Sequence, residues 1–265
     1  MPFTFSHPAL VIPLLRRQRP YRWVSATGLL MGSIAPDFEK FLLLRLGNTH
    51  SHTLASIFYF SCPVALMLAF IFHGLVRRPL LAHLPAFLYR RLGRYAAFEW
   101  PAYFRQHRAQ VVLSIVVGAA LHLFWDIFTH RNPLMMSILP GLARPVGVGR
   151  WMASRFEVVG LLSSVAGGVA IAWAVWKMPA AAGPVPAAAA VRRYWGLAAL
   201  VAAALVAQWV LVVQPRLLDV GITGISAAML GVLAASVYST YASRRPARPV
   251  SKSPDKVASG GGGRR

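Results

Sequence analysis

Three residues that can bind a metal ion or carry a proton lie at equal intervals in an apolar stretch of the chain. His122, Asp126 and His130 are each four residues apart, in a stretch that begins near Val111. Residues four apart lie one above another on the same face of a helix. An imidazole, a carboxylate and a second imidazole therefore project from one stripe of a helix suited to lipid. Ionisable groups at such depth are unfavourable unless they have a partner or a function.

The composition predicts an integral membrane protein. Of the 265 residues, 57% are hydrophobic and only 13% are charged, and the mean hydropathy is +0.54. The net charge of +21 comes largely from arginine clusters between apolar segments, which is typical of positive-inside anchors and contacts with anionic lipid. No basic stretch carries a nucleic-acid-binding motif, so we expect membrane lipids and no nucleic acid as partners. The single cysteine excludes an intrachain disulfide and a cysteine-rich metal cluster.

The apolar segments predict an all-α integral membrane fold, a helical bundle with about five full transmembrane helices. The first two apolar segments, which end near Leu15 and Ala35, are shorter than the roughly 20 residues that span a bilayer. We interpret them as a hairpin of half-length helices with an arginine-rich tip at residues 16–22. The full spans are predicted at about 54–75, 111–128, 157–177, 195–213 and 220–241.

These segments suggest four regions: a membrane core with a candidate metal site at 1–135, an interfacial loop at 136–156, a three-helix membrane region at 157–242 and a disordered basic tail at 243–265. Pairs of glycines four residues apart allow helices to approach closely. We therefore expect tight helix packing at Gly28 and Gly32. The alanine-rich faces of the last spans, together with Gly221, Gly224 and Gly231, also suit helix packing.

Charge asymmetry orients the chain. Loop 76–109 carries seven arginines against one acid, Glu99, and the positive-inside rule places such a loop in the cytoplasm. Five spans then place the C-terminal tail on the same side. The same topology brings most of the histidines and three acidic residues to the outer face: His7, Asp37, Glu39, His50, His52, His122, Asp126 and His130.

Imidazole nitrogens and carboxylate oxygens together are the usual ligands of zinc, and they also suit manganese or iron. We predict a divalent metal ion, with zinc as the first choice, and these ligands or near neighbours: His7, Asp37, His52, His122 and Asp126. Asp37 and Glu39 are the candidate catalytic carboxylates. Each residue also has a purely structural interpretation, as part of a helix cap, a solvated turn or a buried hydrogen bond. The convergence of these residues at one face is therefore stronger evidence for a site than any single residue.

Four motifs resemble an uncharacterised family of bacterial membrane proteins, domain of unknown function 4184, over most of the chain. They are the opening Met-Pro-Phe-Thr-Phe-Ser-His-Pro, Gly32-Ser-Ile-Ala-Pro-Asp37-Phe-Glu39, Ser51-His52-Thr53-Leu54 and His122-Leu-Phe-Trp-Asp126-Ile-Phe-Thr-His130. This resemblance implies a bacterial inner membrane location with a cytoplasmic tail.

More distantly, the chain is similar to the inner-membrane metal-dependent hydrolase family. That family's pattern is an N-terminal His, a Pro-Asp-x-Asp, a Thr-His-Ser and a His-x-x-x-Asp. His7, Asp37, His122 and Asp126 match it directly, and Glu39 replaces the second Asp. Thr49-His50-Ser51 matches the third motif literally, whereas Ser51-His52-Thr53 is the form of the closer family, so the choice between His50 and His52 stays open.

Two functions are compatible with these features. In the first, a metal-activated water attacks a lipid or lipid-linked ester or phosphoester, with Asp37, Glu39 or Asp126 as the general base. In the second, the protein is a transporter or a structural or partner-binding subunit whose His/Asp cluster is not catalytic. The chain shows no internal repeat, which counts against a transporter. Failure of the cluster to converge would exclude the metal.

Overall fold

The computed structural model describes residues 3–16, 24–47, 49–130, 133–148, 151–214 and 216–244. Within this part of the chain, helices dominate and five are long and apolar enough to cross a membrane. They are Ile57–Ala82, Arg108–Thr129, Arg155–Trp176, Ala188–Val213 and Asp219–Arg244. The predicted all-α membrane class is confirmed, and each predicted span falls on one of these helices.

The N-terminal region consists of short helices, as predicted. A 3-10 helix, Thr4–Val11, continues into α1 (Ile12–Arg16). Helix α2 (Ala26–Ile34) begins after Ser25, whose side chain accepts a hydrogen bond from the Gly28 amide. A 3-10 turn, Ala35–Asp37, leads into α3 (Phe38–Leu43). The predicted arginine-rich tip lies largely outside the described residues.

The first span is assembled from four helical pieces. A π-helical turn, Ile57–Ser61, precedes α4 (Cys62–Ile71), and a second, Phe72–Val76, precedes α5 (Arg77–Ala82). Pro63 stands in the first turn of α4, where the missing N–H of proline disturbs the helical hydrogen bonds least. Helices α6 (Ala86–Leu92) and α7 (Trp100–Gln106), with a 3-10 turn at Gly93–Ala97, connect this span to α8 (Arg108–Thr129).

Helices α2 and α8 pack with their backbones in contact. A Cβ on Gly28 would lie 2.6 Å from the Val111 carbonyl oxygen, and one on Gly32 would lie 2.8 Å from the Ile115 Cα. The close approach predicted for Gly28 and Gly32 is therefore confirmed. Because glycine alone permits this separation, the contact fixes α2 along its length against the N-terminal half of α8.

The predicted interfacial loop contains secondary structure that the sequence pattern did not indicate. Helix α9 (Pro133–Ile138) and a 3-10 turn, Pro140–Ala143, precede strands β1 (Pro145–Val148) and β2 (Trp151–Ser154). The two strands pair antiparallel. Ser154 then forms a capping box with Glu157, which stabilises the start of α10 (Arg155–Trp176).

The C-terminal region comprises α10, α11 (Ala188–Val213) and α12 (Leu217–Arg244). A Cβ on Gly231 of α12 would lie 3.1 Å from the Ala198 carbonyl carbon of α11, so Gly231 packs as predicted. The prediction is wrong for Gly221 and Gly224, since a Cβ at either would meet nothing within 4 Å among the described residues. The disordered tail was predicted from residue 243, but Ser243 and Arg244 are the last residues of α12; the rest of the predicted tail lies outside the described residues.

Candidate metal centre

Four side chains from distant parts of the chain converge on one point. Asp37, His52, His122 and Asp126 each offer one ligand atom, and these four atoms lie within 4.8 Å of one another. Three of the side chains are buried and His52 is half-buried. They come from the turn after α2, from the loop before the first span and from the last two turns of α8. The group could hold a metal ion.

The separations between the nitrogen and oxygen atoms suit a tetrahedral metal shell. His52 Nε2 lies 3.3 Å from Asp37 Oδ1 and 3.2 Å from Asp126 Oδ2. His122 Nε2 lies 3.6 Å and 3.4 Å from the same two oxygens. Metal–ligand bonds of about 2.0–2.1 Å in a tetrahedron separate neighbouring ligand atoms by about 3.3 Å. These four separations are those of neighbouring ligands, and all four atoms lie within 4.8 Å of one another, so the group could hold a cation.

The two imidazole rings are oriented by hydrogen bonds at Nδ1, the ring nitrogen that faces away from the cluster. His122 Nδ1 lies 2.8 Å from the carbonyl oxygen of Ser33. A carbonyl only accepts, so Nδ1 carries the proton and, in the neutral ring, the Nε2 lone pair faces the cluster. His122 Nε2 is buried and has no hydrogen-bond partner among the described residues. His52 Nδ1 pairs with Ser51 Oγ at 2.9 Å. Such outer contacts are typical of metal-binding histidines.

Two further groups hold Asp37. Thr4 Oγ1 donates a hydrogen bond to Asp37 Oδ2 at 2.6 Å, and the Lys40 ammonium group forms an ion pair with Asp37 Oδ1. Burial alone would raise the pKa of Asp37, but the neighbouring His122, His52 and Lys40 outweigh it and hold the pKa well below its usual value. Lys40 is itself buried. Lys40 was not among the site residues predicted from the sequence, although its position three residues after Asp37 places both on one helical face.

Glu39 organises the loop that carries His52. Its carboxylate accepts hydrogen bonds from the Thr49 amide at 3.0 Å, the His50 amide at 3.1 Å and the Ser51 amide at 2.9 Å, and from the Thr49 hydroxyl. Burial alone would raise the pKa of Glu39, but these donors lower it far below its ordinary value. The catalytic role of Glu39 stays a prediction, and its contacts support a role in positioning the loop that carries His52.

Three other histidines lie near the cluster, and they differ in burial and in their contacts. His7 is buried, with Nε2 3.3 Å from Asp126 Oδ1, and it stands outside the group of four. His130 follows the last residue of α8, with Nδ1 3.4 Å from Asp126 Oδ1. The His50 residue is exposed and contacts Glu39 and Tyr59 through its backbone. Of the two open choices, His52 is the one that joins the group of four.

His52 is the ligand candidate with the most access to solvent. Its side chain is 21% exposed, whereas that of His122 is fully enclosed. Burial alone would lower the pKa of His52, but hydrogen bonds to Asp126 and Asp37 raise it above its ordinary value of 6.5.

His52 precedes the first span and Asp126 lies near the end of α8. The cluster therefore lies at one end of two adjacent membrane helices.

No curated protein and no solved structure is detectably similar to this chain. A family model described as "Domain of unknown function (DUF4184)" matches residues 1–237. The match includes the whole His/Asp cluster and reaches well into α12. The chain therefore belongs to this family, a domain of unknown function with five apolar helices and a buried His/Asp group able to bind a metal.

Proposed function

We propose that this protein is a membrane-embedded metal-dependent hydrolase whose centre is formed by Asp37, His52, His122 and Asp126. The observation that carries the proposal is the convergence of two imidazole nitrogens and two carboxylate oxygens at the spacing of a metal shell. These donors favour zinc, with manganese or iron as other possibilities. When bound, the cation supplies Lewis acidity, which activates water and polarises an ester or phosphoryl oxygen.

The charge balance supports a cation at this position. Asp37 and Asp126 carry two negative charges, and Lys40 supplies one positive charge at Asp37. With neutral imidazoles, the cluster has a net charge of −1 and is almost fully buried. An uncompensated charge in such a place destabilises a fold by several kcal/mol. A divalent cation changes the net charge to +1, which leaves the centre ready to accept a hydroxide or an anionic substrate.

The side chains of the protein have different roles around the ester bond that is hydrolysed. The oxygen of a water forms a bond to the carbonyl carbon or phosphorus, the ester bond to the leaving oxygen breaks, and the leaving oxygen gains a proton. Asp37 and Asp126 are the carboxylates placed to accept the proton of the water, since both Glu39 oxygens are committed to the His52 loop. Thr4 and Ser33 fix the orientation of Asp37 and His122.

The position of the centre favours a lipid or lipid-linked substrate. The cluster lies at one end of two membrane helices, and the ester and phosphate groups of lipids lie near the ends of such helices. We place this end at the outer face of the bacterial inner membrane, with the C-terminal tail in the cytoplasm. Loop 76–109 then lies at the cytoplasmic face, where its arginines contact anionic lipid.

A specific observation also favours a second candidate, a non-enzymatic membrane protein. Lys40 already neutralises Asp37, and every oxygen of Asp126 has a histidine nearby. A structural or partner-binding subunit, or a transporter, could use the same network without a metal. This candidate predicts that replacing the histidines with glutamine leaves the function intact.

Metal content separates the two candidates. The wild type, a His122→Ala/Asp126→Ala double variant and a His50→Ala control are purified in detergent and measured by elemental analysis. We expect at least one equivalent of a divalent metal in the wild type and the control, and almost none in the double variant. Equally negligible metal in all three proteins would refute the hydrolase proposal. Release of phosphate or acyl groups from lipid substrates then tests the reaction.

A further inference from the structure

We propose that Asp126 bridges two divalent cations, and that a second cation site is formed by His7, Asp126 and His130. This inference rests on the proposed function, since it adds a cation next to the one held by Asp37, His52, His122 and Asp126. The second site uses the other oxygen of Asp126 and two histidines that the first site leaves unused. It accounts for the position of His7, which lies at the cluster but outside the group of four.

The two oxygens of Asp126 have separate sets of neighbours. Oδ2 faces His52 Nε2 at 3.2 Å and His122 Nε2 at 3.4 Å. Oδ1 faces His7 Nε2 at 3.3 Å and His130 Nδ1 at 3.4 Å. These separations are alike, and both match the edge of about 3.3 Å expected for a tetrahedral shell. Each carboxylate oxygen therefore stands between two imidazole nitrogens at ligand spacing.

The stacking of His7 on His122 brings the two candidate sites next to each other. Their ring centroids are 3.9 Å apart and their planes differ by only 21°. Each ring directs its Nε2 to a different oxygen of the same Asp126 carboxylate. Two-metal sites in hydrolytic enzymes have separations of about 3.5–4 Å, and one carboxylate can bridge such a pair.

The protonation of His7 suits this role. Its Nδ1 lies 3.2 Å from the carbonyl oxygen of Thr4, so Nδ1 donates a proton and, in the neutral ring, the Nε2 lone pair faces Asp126. This repeats the arrangement of His122 and the Ser33 carbonyl. His130 Nδ1 lies 3.2 Å from the Asp126 carbonyl oxygen and 3.3 Å from Thr129 Oγ1, so Nδ1 carries the proton before metal binding. Binding of the second cation requires that proton to move to Nε2, which is buried and has no hydrogen-bond partner among the described residues.

The second cation narrows the class of substrate. Two divalent cations, with Asp37, Asp126 and Lys40, give the centre a net charge of +3. A neutral carboxylic ester would leave most of this charge uncompensated in a buried site, whereas a phosphoester and a hydroxide largely neutralise it. The His130 side chain is 27% exposed, so the second site has an open side through which an anionic phosphoester can enter. A two-cation centre therefore favours phosphoester over carboxylic ester hydrolysis.

Metal stoichiometry tests this inference. The wild type, His7→Ala, His130→Ala and the His50→Ala control are stripped with a chelator, reconstituted with excess Mn²⁺, desalted and analysed for manganese per chain. We expect two equivalents in the wild type and the control, and one in His7→Ala and in His130→Ala. One equivalent in the wild type, or two retained in His7→Ala, would overturn the second site. Negligible manganese, and negligible zinc in the same protocol, would instead contradict the proposed function.

Electron paramagnetic resonance provides an independent readout. Two manganese ions bridged by Asp126 give an exchange-coupled spectrum, whereas the single ion left in His7→Ala gives the spectrum of an isolated ion. An isolated-ion spectrum in the fully loaded wild type would contradict the bridge. If His7→Ala does not yield a monodisperse protein, His130→Gln provides the same comparison from the exposed side of the site.

Discussion

The substitution Glu39→Gln separates a positioning role for Glu39 from a catalytic one. The glutamine side chain keeps the length and shape of Glu39 but has one acceptor oxygen and an NH2 group. If its oxygen stays with the Thr49 donors, its NH2 group faces the amides of His50 and Ser51, which now bond to the second carboxylate oxygen. We therefore expect the loop that carries His52 to lose its attachment to α3.

The magnitude follows from the bonds that are lost. A hydrogen bond to a charged group contributes about 1.5–3 kcal/mol, so losing the His50 and Ser51 bonds weakens the local structure by roughly 3 kcal/mol or more. Only part of this loss of free energy weakens metal binding, because His52 is one of four ligands. Removing an outer contact of a ligand typically lowers metal affinity about 10–100-fold, or about 1.4–2.7 kcal/mol. We expect the Kd of Glu39→Gln to rise within that range.

The assay is a competition titration with a chromophoric chelator, followed by hydrolysis at saturating metal. We expect weaker metal binding and near-normal activity once the site is filled. The control is Glu99→Gln, because Glu99 is largely exposed and pairs with Arg78 at the surface, so its affinity should equal that of the wild type. An unchanged Kd together with lost activity would refute the positioning role and restore Glu39 as a catalytic base.

Two further predictions follow from the packing and the charges. Gly32→Ala places a Cβ 2.8 Å from the Ile115 Cα and should lower stability by about 1–3 kcal/mol, seen as a lower Tm in detergent. Gly224→Ala, in open space, should leave the Tm unchanged, and equal Tm values for both variants would contradict the packing. The raised pKa of His52 means that a cation must displace a proton, so metal affinity should begin to fall at a pH above 6.5 and should fall further as the pH is lowered. The fall should be up to about tenfold per pH unit for each proton displaced, and a titration that is independent of pH would contradict it.

The sequence allowed the membrane helices to be predicted because their signal is local. Length and apolar composition mark a span without reference to the rest of the fold, and the chain direction then placed His122 and Asp126 at the same end as residues 37–52. The contact of α2 with another helix could also be predicted, since Gly28 and Gly32 leave room that larger residues would fill.

Features that depend on contacts between distant segments could not be predicted from the sequence. The choice of His52 over His50 is set by Glu39, whose carboxylate fixes the loop at residues 49–51. The glycines of α12 look alike in sequence, yet only Gly231 faces α11 closely enough to need the absence of a side chain. The strand pair β1–β2 depends on pairing between two four-residue segments, which are too short to show a clear alternating pattern, so its sequence resembled an irregular loop.

The separation of the atoms in the cluster favours a metal over a proton as the missing positive charge. A proton on His122 would also neutralise the net charge of −1 formed by Asp37, Asp126 and Lys40. A protonated imidazole, however, binds a carboxylate through a charge-assisted hydrogen bond of about 2.7–2.9 Å. The four separations between the imidazole nitrogens and the carboxylate oxygens are 3.2–3.6 Å. All four are longer than that charge-assisted bond, although His52 Nε2 still forms a hydrogen bond with Asp126 Oδ2 at 3.2 Å. All four also suit atoms that share a cation about 2 Å from each, which is the arrangement that the metal measurements test.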